Sequence, residues 1–350
     1  MKNVVFTGGG TAGHVMPNLA LISHIAKSEA DVYYIGSRTG MEKEIIEKEG
    51  IKYFGVSSGK LRRYFSLKNF TDPLRIISGY IHAKKILKKL NPGVVFSKGG
   101  FVTVPVVYAA RKLNIPVILH ESDYSPGLAN RLSLKKATKV CVSFEDTLKH
   151  VGEKGVYTGT PLRSELFMGD KQRGLRHLRF SGEKPVLLIM GGSSGAVALN
   201  NAVEQNLEKL SGIFDIAHIR GAGNINQDIN SDLYRQFEFI TDELPDVYAA
   251  ADIMLPRSGA NAVFEIIALK IPALFVPLPL SASRGDQILN AKYCEKKGFS
   301  HVLPQEEIEN LYSALLNTYS DRQKLKKNMS SHNLSDAAKT ISDMILKYIE

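Results

Sequence analysis

Two glycine-rich segments have the residue types and spacing that bind phosphate. Gly8-Gly-Gly-Thr-Ala-Gly-His14 follows an apolar run at residues 4–6, and Gly191-Gly-Ser-Ser-Gly-Ala196 follows an apolar run that ends at Met190. A glycine turn between a strand and a helix lets backbone N–H groups and the positive helix end approach an anion closely. Either turn alone has a steric explanation as well, but the pair predicts phosphate-bearing ligands.

The first turn does not fit a nicotinamide cofactor. Gly8, Gly10 and Gly13 lie almost at the GxGxxG spacing, but His14 follows them. The second apolar run ends Tyr34-Ile-Gly-Ser37, without the acidic residue that would hold an adenosine ribose. The sequence therefore argues against a dehydrogenase.

Apolar runs rich in Val, Ile and Tyr alternate with helical patterns, which is typical of βαβ units around a parallel sheet. We expect strands at residues 4–6, 32–35, 53–56, 94–96, 117–119 and 140–142. The alternation restarts after a polar stretch, with strands expected at 185–190, 216–219, 237–240, 253–255 and 273–276 and a helix at about 198–210. Two similar α/β domains in tandem are predicted.

The chain of 350 residues exceeds the size at which a single core stops growing. Gly and Pro interrupt both the strand and the helix periodicity at Gly159-Thr-Pro-Leu162, so we place the domains at 1–161 and 162–335. The sequence pattern alone leaves open on which domain the last helix, about 336–348, packs.

The bulk composition is that of an ordinary globular protein, with 44% hydrophobic and 23% charged residues. The amino terminus shows no signal-peptide pattern, and no run approaches the roughly 20 apolar residues of a membrane span. Cys141 and Cys294 lack metal-binding spacing, which indicates a reducing compartment and no structural zinc. We expect both cysteines to be packing residues.

The positive charge is concentrated in the first half. Residues 1–160 hold 24 Lys and Arg against 12 Asp and Glu, and residues 161–350 hold 21 against 23. One stretch contains a single acid, Asp72, and the cations Lys60, Arg62, Arg63, Lys68, Arg75, Lys84, Lys85, Lys88 and Lys89, interleaved with apolar residues such as Phe65. This predicts contact with an anionic membrane surface; the alternative is a solvated helix face over ordinary core residues. No nucleic-acid-binding motif accompanies the charge, so nucleic acid is not an expected partner.

Seven motifs occur in order along nearly the whole chain. They are Gly8-Gly-Gly-Thr-Ala-Gly-His-Val-Met-Pro17, Lys98-Gly-Gly-Phe-Val102, His120-Glu-Ser-Asp123 with Pro126-Gly-Leu-Ala-Asn-Arg131, Gly159-Thr-Pro-Leu-Arg163, Gly191-Gly-Ser-Ser-Gly-Ala196, Arg257-Ser-Gly-Ala260 with Glu265, and Asp286-Gln-Ile-Leu-Asn-Ala291. The series closely resembles the inverting glycosyltransferases of bacterial peptidoglycan synthesis. The variant His-Glu-Ser-Asp and the segment Ser283-Arg-Gly-Asp-Gln287 look like the form found in Gram-positive cocci.

The resemblance implies an α/β GT-B fold, in which two Rossmann-like domains with parallel sheets face each other across a cleft. The acceptor would bind the first domain and the donor the second, and the final helix, about 336–350, would pack back on the first. The implied reaction moves N-acetylglucosamine from UDP-N-acetylglucosamine (UDP-GlcNAc) to the 4-hydroxyl of lipid I, the muramyl-pentapeptide on undecaprenyl diphosphate. No cofactor is implied. The expected location is the cytoplasmic face of the membrane, as a peripheral protein, with the cell-wall and division machinery as further partners.

The resemblance also assigns contacts. Ile240 would lie by the uracil, Glu265 by the ribose hydroxyls and Gln287 by the sugar hydroxyls, within a donor set of Thr11, Ala12, Gly13, Asp123, Arg163, Ser193, Ile240, Ala260, Asn261, Glu265, Asp286 and Gln287. Gly99, Gly100 and Phe101 would contact the acceptor. Related members often carry Asn where Asp123 stands and Gln where Asp286 stands.

The chemistry of inverting transfer agrees with these assignments. The acceptor hydroxyl must lose a proton as it attacks, and His14 is the best candidate for the general base, with Glu121 and Asp123 as alternatives. Glu265 matches a ribose diol, although a carboxylate near a helix start is also stabilised by the helix dipole. The chain contains no Asp-x-Asp pair, so we expect no metal site and assign the leaving-group charge to helix N-termini and Arg163.

Two other functions would use the same donor-binding residues. One is another GT-B enzyme, such as a UDP-GlcNAc 2-epimerase or a glycolipid synthase. The other is a noncatalytic sugar-nucleotide-binding scaffold. The motifs at Lys98 and His120 and the basic apolar segment favour the peptidoglycan enzyme over the other GT-B enzymes. The scaffold would instead bind the sugar nucleotide without turnover.

Overall fold

The computed structural model describes residues 3–26, 28, 30–59, 68–192, 196–229, 231–332 and 336–349, and the side chains of 68–73 are not part of that description. The chain divides into two compact units, Met1–Arg163 with Ser335–Glu350, and Ser164–Leu334. The described residues do not include Ser193-Ser-Gly195 of the second glycine-rich segment or four residues of the basic stretch, Lys60, Arg62, Arg63 and Phe65. Lys68 is described only as the first residue of a helix.

The first unit is built on a seven-stranded parallel sheet in the order β3-β2-β1-β4-β5-β6-β7. The strands are β1 Asn3–Thr7, β2 Asp31–Ser37, β3 Lys52–Val56, β4 Val94–Ser97, β5 Val117–Glu121, β6 Lys139–Val142 and β7 Gly155–Tyr157. Six of them confirm the expected runs. The seventh was not predicted, because a three-residue strand that begins with glycine has no apolar run to detect.

Helices cover both faces of this sheet, which explains why its strands are apolar on both sides. They are α1 Met16–Ile25, α2 Met41–Lys48, α3 Lys68–Leu90, α4 Thr103–Lys112, α5 Leu128–Ser133, α6 Leu148–Val151 and α15 Ala337–Leu346. One core gathers Val5, Val95 and Leu119 under α3 and α4. The other gathers Val4, Phe6 and Phe96 with Ile341 and Ile345 of α15, which packs against α1.

The second unit repeats this construction on a smaller scale. A parallel sheet in the order β10-β9-β8-β11 contains β8 Val186–Met190, β9 Asp215–Ile219, β10 Tyr234–Phe237 and β11 Ile253–Pro256. The pair β12 Leu274–Phe275 and β13 His301–Val302 continues from β11 through a parallel bridge between Met254 and Ala273. The helices are α7 Lys171–Leu178, α8 Val197–Gln205, α9 Leu207–Ser211, α10 Leu244–Ala250, α11 Ala260–Leu269, α12 Asp286–Lys296, α13 Leu311–Ser320 and α14 Arg322–Ser331.

Two expected elements of the second unit were wrong in their bounds. The helix expected at 198–210 is divided into α8 and α9, because Asn206 leaves the helical conformation and its side chain donates to the carbonyl of Ala202 over 2.9 Å. The strand expected at 237–240 lies earlier, because the buried Tyr234 pairs with β9 while Phe239 is exposed. Ile240 therefore lies in the loop after β10.

Both cysteines are buried free thiols, as expected of packing residues. Burial raises the pKa of the Cys141 thiol to about 12 and raises that of Cys294 as well. Within the described part of the chain, none of the helices combines the length and the apolar character needed to cross a membrane.

Candidate functional site

The candidate site residues of the first unit lie around the carboxyl end of β1. His14 ends a short 3-10 turn, Ala12–His14, directly before α1. Its Nδ1 atom lies 3.0 Å from the carbonyl oxygen of Gly9 and 3.1 Å from Oγ1 of Thr11. A carbonyl oxygen can only accept, so Nδ1 carries the proton in this hydrogen bond. In the neutral ring the lone pair is then on Nε2, the atom that could remove a proton from a ligand.

The segment after β4 packs against this turn. Gly99 and Gly100 have φ values of 104° and 90°, in the region that favours glycine. A Cβ at Gly100 would overlap the carbonyl oxygen of Gly9, and one at Gly99 would lie 3.7 Å from Cδ2 of His14. Three residues predicted for one site are thus brought together at adjacent strand ends. Phe101 follows them and is half-buried.

Glu121, at the end of β5, is only 4% exposed, and its carboxylate accepts three hydrogen bonds. Its carboxylate accepts from the backbone N–H of Asp123 (3.0 Å) and of Gly127 (2.9 Å) and from Nδ2 of Asn130 (2.8 Å). These contacts fix the loop between β5 and α5. The carboxylate thus shapes the loop that carries the half-buried Asp123.

Lys98 and His120 lie buried beside this loop, and neither was assigned a role from the sequence beyond its place in a motif. The ammonium group of Lys98, 2% exposed, donates to Oγ of Ser122. Burial lowers the pKa of Lys98 to about 8, opposed by the charges of Glu121 and Asp123. Burial also lowers the pKa of His120 well below its usual value, and its Nε2 donates to the carbonyl of Gly159 over 3.0 Å.

The other predicted site residues that fall in the first unit are more accessible. Thr11 is exposed, and Ala12 and Gly13 are half-buried within the same 3-10 turn as His14. Arg163, which the sequence placed in the second domain, is half-buried at the end of the first segment of this unit.

The candidate site residues of the second unit lie around the carboxyl end of β8. Glu265 projects from α11 and accepts a hydrogen bond of 2.9 Å from the hydroxyl of Tyr248, a buried residue of α10. The same hydroxyl lies 3.8 Å from Sδ of Met190, the last residue of β8. Glu265 is therefore held next to the second glycine turn. It lies beyond the first turn of α11, which contains no acidic residue, so the helix-dipole alternative does not account for it.

The start of α11, the helix that carries Glu265, meets the start of α12. Ala260 and Asn261 open α11, and Asp286 and Gln287 open α12. The hydroxyl of Ser258 donates to the backbone carbonyl of Gln287 over 2.9 Å, which ties the two starts together. Oε1 of Gln287 accepts from the N–H of Leu278 over 3.1 Å, so its side chain offers N–H donors to a ligand.

The other two predicted positions in this unit differ in exposure. Asp286 pairs with Arg284 at 3.6 Å and remains half-buried. Ile240 is 9% exposed, so only an edge of its side chain is open to a ligand. Among the described residues, no group of three or more His, Cys, Asp or Glu side chains is arranged to hold a metal ion.

Two supporting residues were missed by sequence reasoning. Tyr248 lies in an apolar helical pattern that reads as ordinary core. Arg257, 6% exposed, donates from Nη1 to the carbonyl of Val276 over 2.9 Å and from Nη2 to Oε1 of Gln305 over 2.6 Å. It anchors the end of β11 before α11, and only its place in a motif could have singled it out.

Comparison with known proteins identifies relatives of the whole chain. Residues 4–142 match the glycosyltransferase family 28 N-terminal domain, and residues 186–344 match the glycosyltransferase family 28 C-terminal domain. A Clostridium botulinum protein is 50% identical over 99% of both chains, and a Lachnospira eligens protein is 48% identical over 99% of both. Each is named UDP-N-acetylglucosamine--N-acetylmuramyl-(pentapeptide) pyrophosphoryl-undecaprenol N-acetylglucosamine transferase.

A solved structure agrees with these relatives. The crystal structure of Acinetobacter baumannii MurG is 26% identical, covers 99% of this chain and 100% of its own, and superimposes with a TM-score of 0.76. The prediction of a GT-B fold with two Rossmann-like domains is confirmed. The likeness to the form found in Gram-positive cocci stays a prediction.

Proposed function

The chain belongs to glycosyltransferase family 28, and we propose that it transfers N-acetylglucosamine from UDP-GlcNAc to the lipid-linked muramyl-pentapeptide of peptidoglycan synthesis. The observation that carries this conclusion is the 50% identity over 99% of the chain to a transferase with that name. The match covers both domains, each with its glycine turn. The chain therefore acts as a hexosyltransferase.

We assign the general base to His14. Its Nδ1 proton is held by the Gly9 carbonyl, which leaves Nε2 to accept the proton of the 4-hydroxyl as that oxygen attacks the anomeric carbon. The glycosidic bond to the UDP oxygen breaks on the opposite face, so the product is inverted at that carbon. The proton ends on the imidazole and the electron pair on the departing diphosphate.

Glu121 is less suited to this task than His14. Three donors from the surrounding loop and α5 already bind its carboxylate, and the side chain is only 4% exposed, so an acceptor hydroxyl has little access to it. We propose that Glu121 shapes the acceptor side by holding the loop that carries Asp123. Gly99, Gly100 and Phe101 would complete that surface.

The donor would bind the second unit. Glu265, held by Tyr248, presents a carboxylate to the ribose diol, and Ile240 offers an apolar edge to the uracil. The N-terminus of α11, at Ala260 and Asn261, would stabilise the negative charge that develops on the diphosphate, together with Arg163. The N–H groups of Gln287 would meet the sugar hydroxyls, with Asp286 beside them. Ser193 stays in this set as a prediction, as do Thr11, Ala12 and Gly13 from the first unit.

We further propose that α3 docks the enzyme on an anionic membrane. Leu74, Ile77 and Ile81 are 69%, 56% and 46% exposed, and their spacing places them on one helix face. The same face continues with the exposed Lys85 and Lys88. An apolar stripe that runs into cations suits insertion at a negatively charged interface. By contrast, Tyr80 packs against the core. For this residue the alternative interpretation holds, in which the apolar residues of the basic stretch are ordinary core residues.

The test is direct. Purified protein is incubated with labelled UDP-GlcNAc and a short-chain lipid I analogue, and the products are separated and identified. A β-linked disaccharide on the lipid carrier is the expected product. Formation of an epimerised UDP-sugar without acceptor would instead support an epimerase, and donor binding without any product would support a noncatalytic scaffold.

A further inference from the structure

A carboxylate that the sequence analysis did not single out lies buried behind the first glycine turn. Glu42, the second residue of α2, is 0% exposed. Its Oε2 accepts from the backbone N–H of Gly10 over 3.2 Å. Its Oε1 accepts from the N–H and the hydroxyl of Ser37, over 2.9 Å and 2.6 Å.

The glycines around this carboxylate leave room for it. A Cβ at Gly9 or at Gly40 would overlap the Glu42 carboxylate oxygens, and one at Gly36 would lie 3.0 Å from its Cγ. Gly9 therefore has a reason to be glycine that involves no ligand. This differs from the sequence-based interpretation, in which the glycines of the turn make space for phosphate.

Glu42 and His14 bind opposite ends of one peptide group. The N–H of Gly10 donates to Glu42, and the carbonyl of Gly9, which belongs to the same peptide group, accepts from Nδ1 of His14 over 3.0 Å. In a trans peptide the N–H and the C=O point in opposite directions, so the three groups form a continuous chain. Hydrogen bonds linked in this way polarise one another, which makes the Gly9 carbonyl a stronger acceptor for the imidazole proton.

We propose that Glu42 is a positioning residue for the base, acting on His14 through the Gly9–Gly10 peptide group. It fixes the orientation of that peptide and thereby the ring tautomer that carries the lone pair on Nε2. An aspartate plays the comparable part for histidine in hydrolase triads, by direct contact. This inference rests on the proposed role of His14 in glycosyl transfer.

The test uses Glu42→Gln, which keeps the side-chain volume. A glutamine has one acceptor oxygen; if this oxygen keeps the Ser37 contacts, the amide nitrogen faces the Gly10 N–H as a second donor. We expect kcat for transfer to fall at least tenfold, while KM for UDP-GlcNAc stays within twofold. Nitrogen-15 spectra of histidine-labelled Glu42→Gln protein should show a larger fraction of the His14 ring in the Nε2-protonated tautomer than in the wild type. A His14→Gln sample assigns the His14 signals.

The matched control is Asp215→Asn, which changes another buried carboxylate to its amide, in the second unit. This variant should retain kcat within twofold and leave the His14 signals unchanged. A folded Glu42→Gln protein with normal kcat and an unchanged tautomer would overturn the proposal.

A second variant covers the case in which Glu42→Gln does not fold. Gly9→Ala adds a methyl group that displaces the carboxylate from the turn side, and it should produce the same selective loss of kcat. Normal turnover in Gly9→Ala contradicts the proposal. If the wild-type protein lacks transferase activity, the proposed function fails, whereas the tautomer measurement still decides whether Glu42 controls the ring.

Discussion

The hydroxyl of Tyr248 lies 2.9 Å from Oε2 of Glu265 and joins α10 to α11 at the end of β8. The pair gives the carboxylate a fixed orientation beside the second glycine turn. A carboxylate held in this way loses little conformational freedom when a diol binds, so the contact favours recognition of a ribose.

Replacement of Glu265 by alanine should therefore weaken UDP-GlcNAc binding by about 1.5 to 3 kcal/mol, the range for hydrogen bonds to a charged group. Tyr248→Phe removes only the orienting contact and should cost about 0.5 to 1.5 kcal/mol. Calorimetric titration measures both. Glu208→Ala, which removes an exposed carboxylate of α9, is the control and should leave the affinity unchanged. Unchanged affinity in Glu265→Ala would remove this residue from the site.

His14→Ala should lower kcat by about 100-fold or more, because proton transfer to the imidazole occurs only in the transition state. Donor affinity, measured by calorimetry, should stay within about twofold of wild type. The comparison variant is Glu121→Gln, which should mainly lower the melting temperature. If His14→Ala retains near-normal turnover while a folded Glu121→Gln protein is inactive, the base is Glu121.

The sequence predicted what depends on local patterns and missed what depends on distant partners. Alternating apolar runs predicted eleven strands, of which only the one at 237–240 was misplaced along the chain, and ordered motifs located His14 and Glu265. Glu42 lies in a charged stretch, Met41-Glu-Lys-Glu44, that resembles a solvated helix start. Its burial depends on donors at Gly10 and Ser37, and no periodicity reports hydrogen bonds between separate segments. Tyr248 was missed for the same reason, since its role depends on a carboxylate on the next helix.

A closed ring of hydrogen bonds in the second unit makes the stability depend on pH. Arg220 donates to the hydroxyl of Tyr234, which donates to Nδ1 of His218; Nε2 of His218 donates to Asn200, and Asn200 donates back to the carbonyl of Arg220. The ring requires a neutral imidazole. Burial, assisted by the charge of Arg220, lowers the pKa of His218 from 6.5 to about 3.

Between these two pKa values the unfolded chain binds more protons than the folded protein. The free energy of unfolding should therefore be highest above pH 6.5 and fall toward pH 3, by up to about 1.4 kcal/mol per pH unit for each such histidine. His120 contributes in the same direction. Urea denaturation at several pH values tests this. His218→Gln should reduce the slope, and His150→Gln, at an exposed position, should leave it unchanged.

Lys98 and Asp123 should be energetically coupled. Lys98→Met removes the buried cation beside Glu121 and Asp123, and we expect a loss of about 3 to 5 kcal/mol in the free energy of unfolding. Asp123→Asn should recover part of that loss because it removes one negative charge. A double-mutant cycle by chemical denaturation measures the coupling, expected at about 0.5 to 3 kcal/mol. Purely additive effects would contradict it; the exposed Asp146→Asn is the control.

The face of α3 that carries Leu74, Ile77 and Ile81 should control membrane attachment, and its two parts should be separable. Lys85→Ser with Lys88→Ser should weaken binding to anionic vesicles by roughly 1 kcal/mol per charge. Added salt should weaken the binding of the wild-type protein in the same way, because charges are screened within about 8 Å at physiological ionic strength. Serine at the three aliphatic positions should remove the salt-resistant remainder, since apolar burial is insensitive to screening.

Vesicle sedimentation measures both effects. Activity on a short-chain soluble acceptor should stay near the wild-type value in each variant, because the exposed face of α3 lies on the side of the helix opposite its packed residues Ala83 and Leu87. Phe167→Ser with Met168→Ser, which removes comparably exposed apolar side chains from the second unit, is the matched control and should sediment like wild type. If the aliphatic triple variant also sediments like wild type, this face of α3 is an ordinary solvated surface, and the attachment depends on other residues.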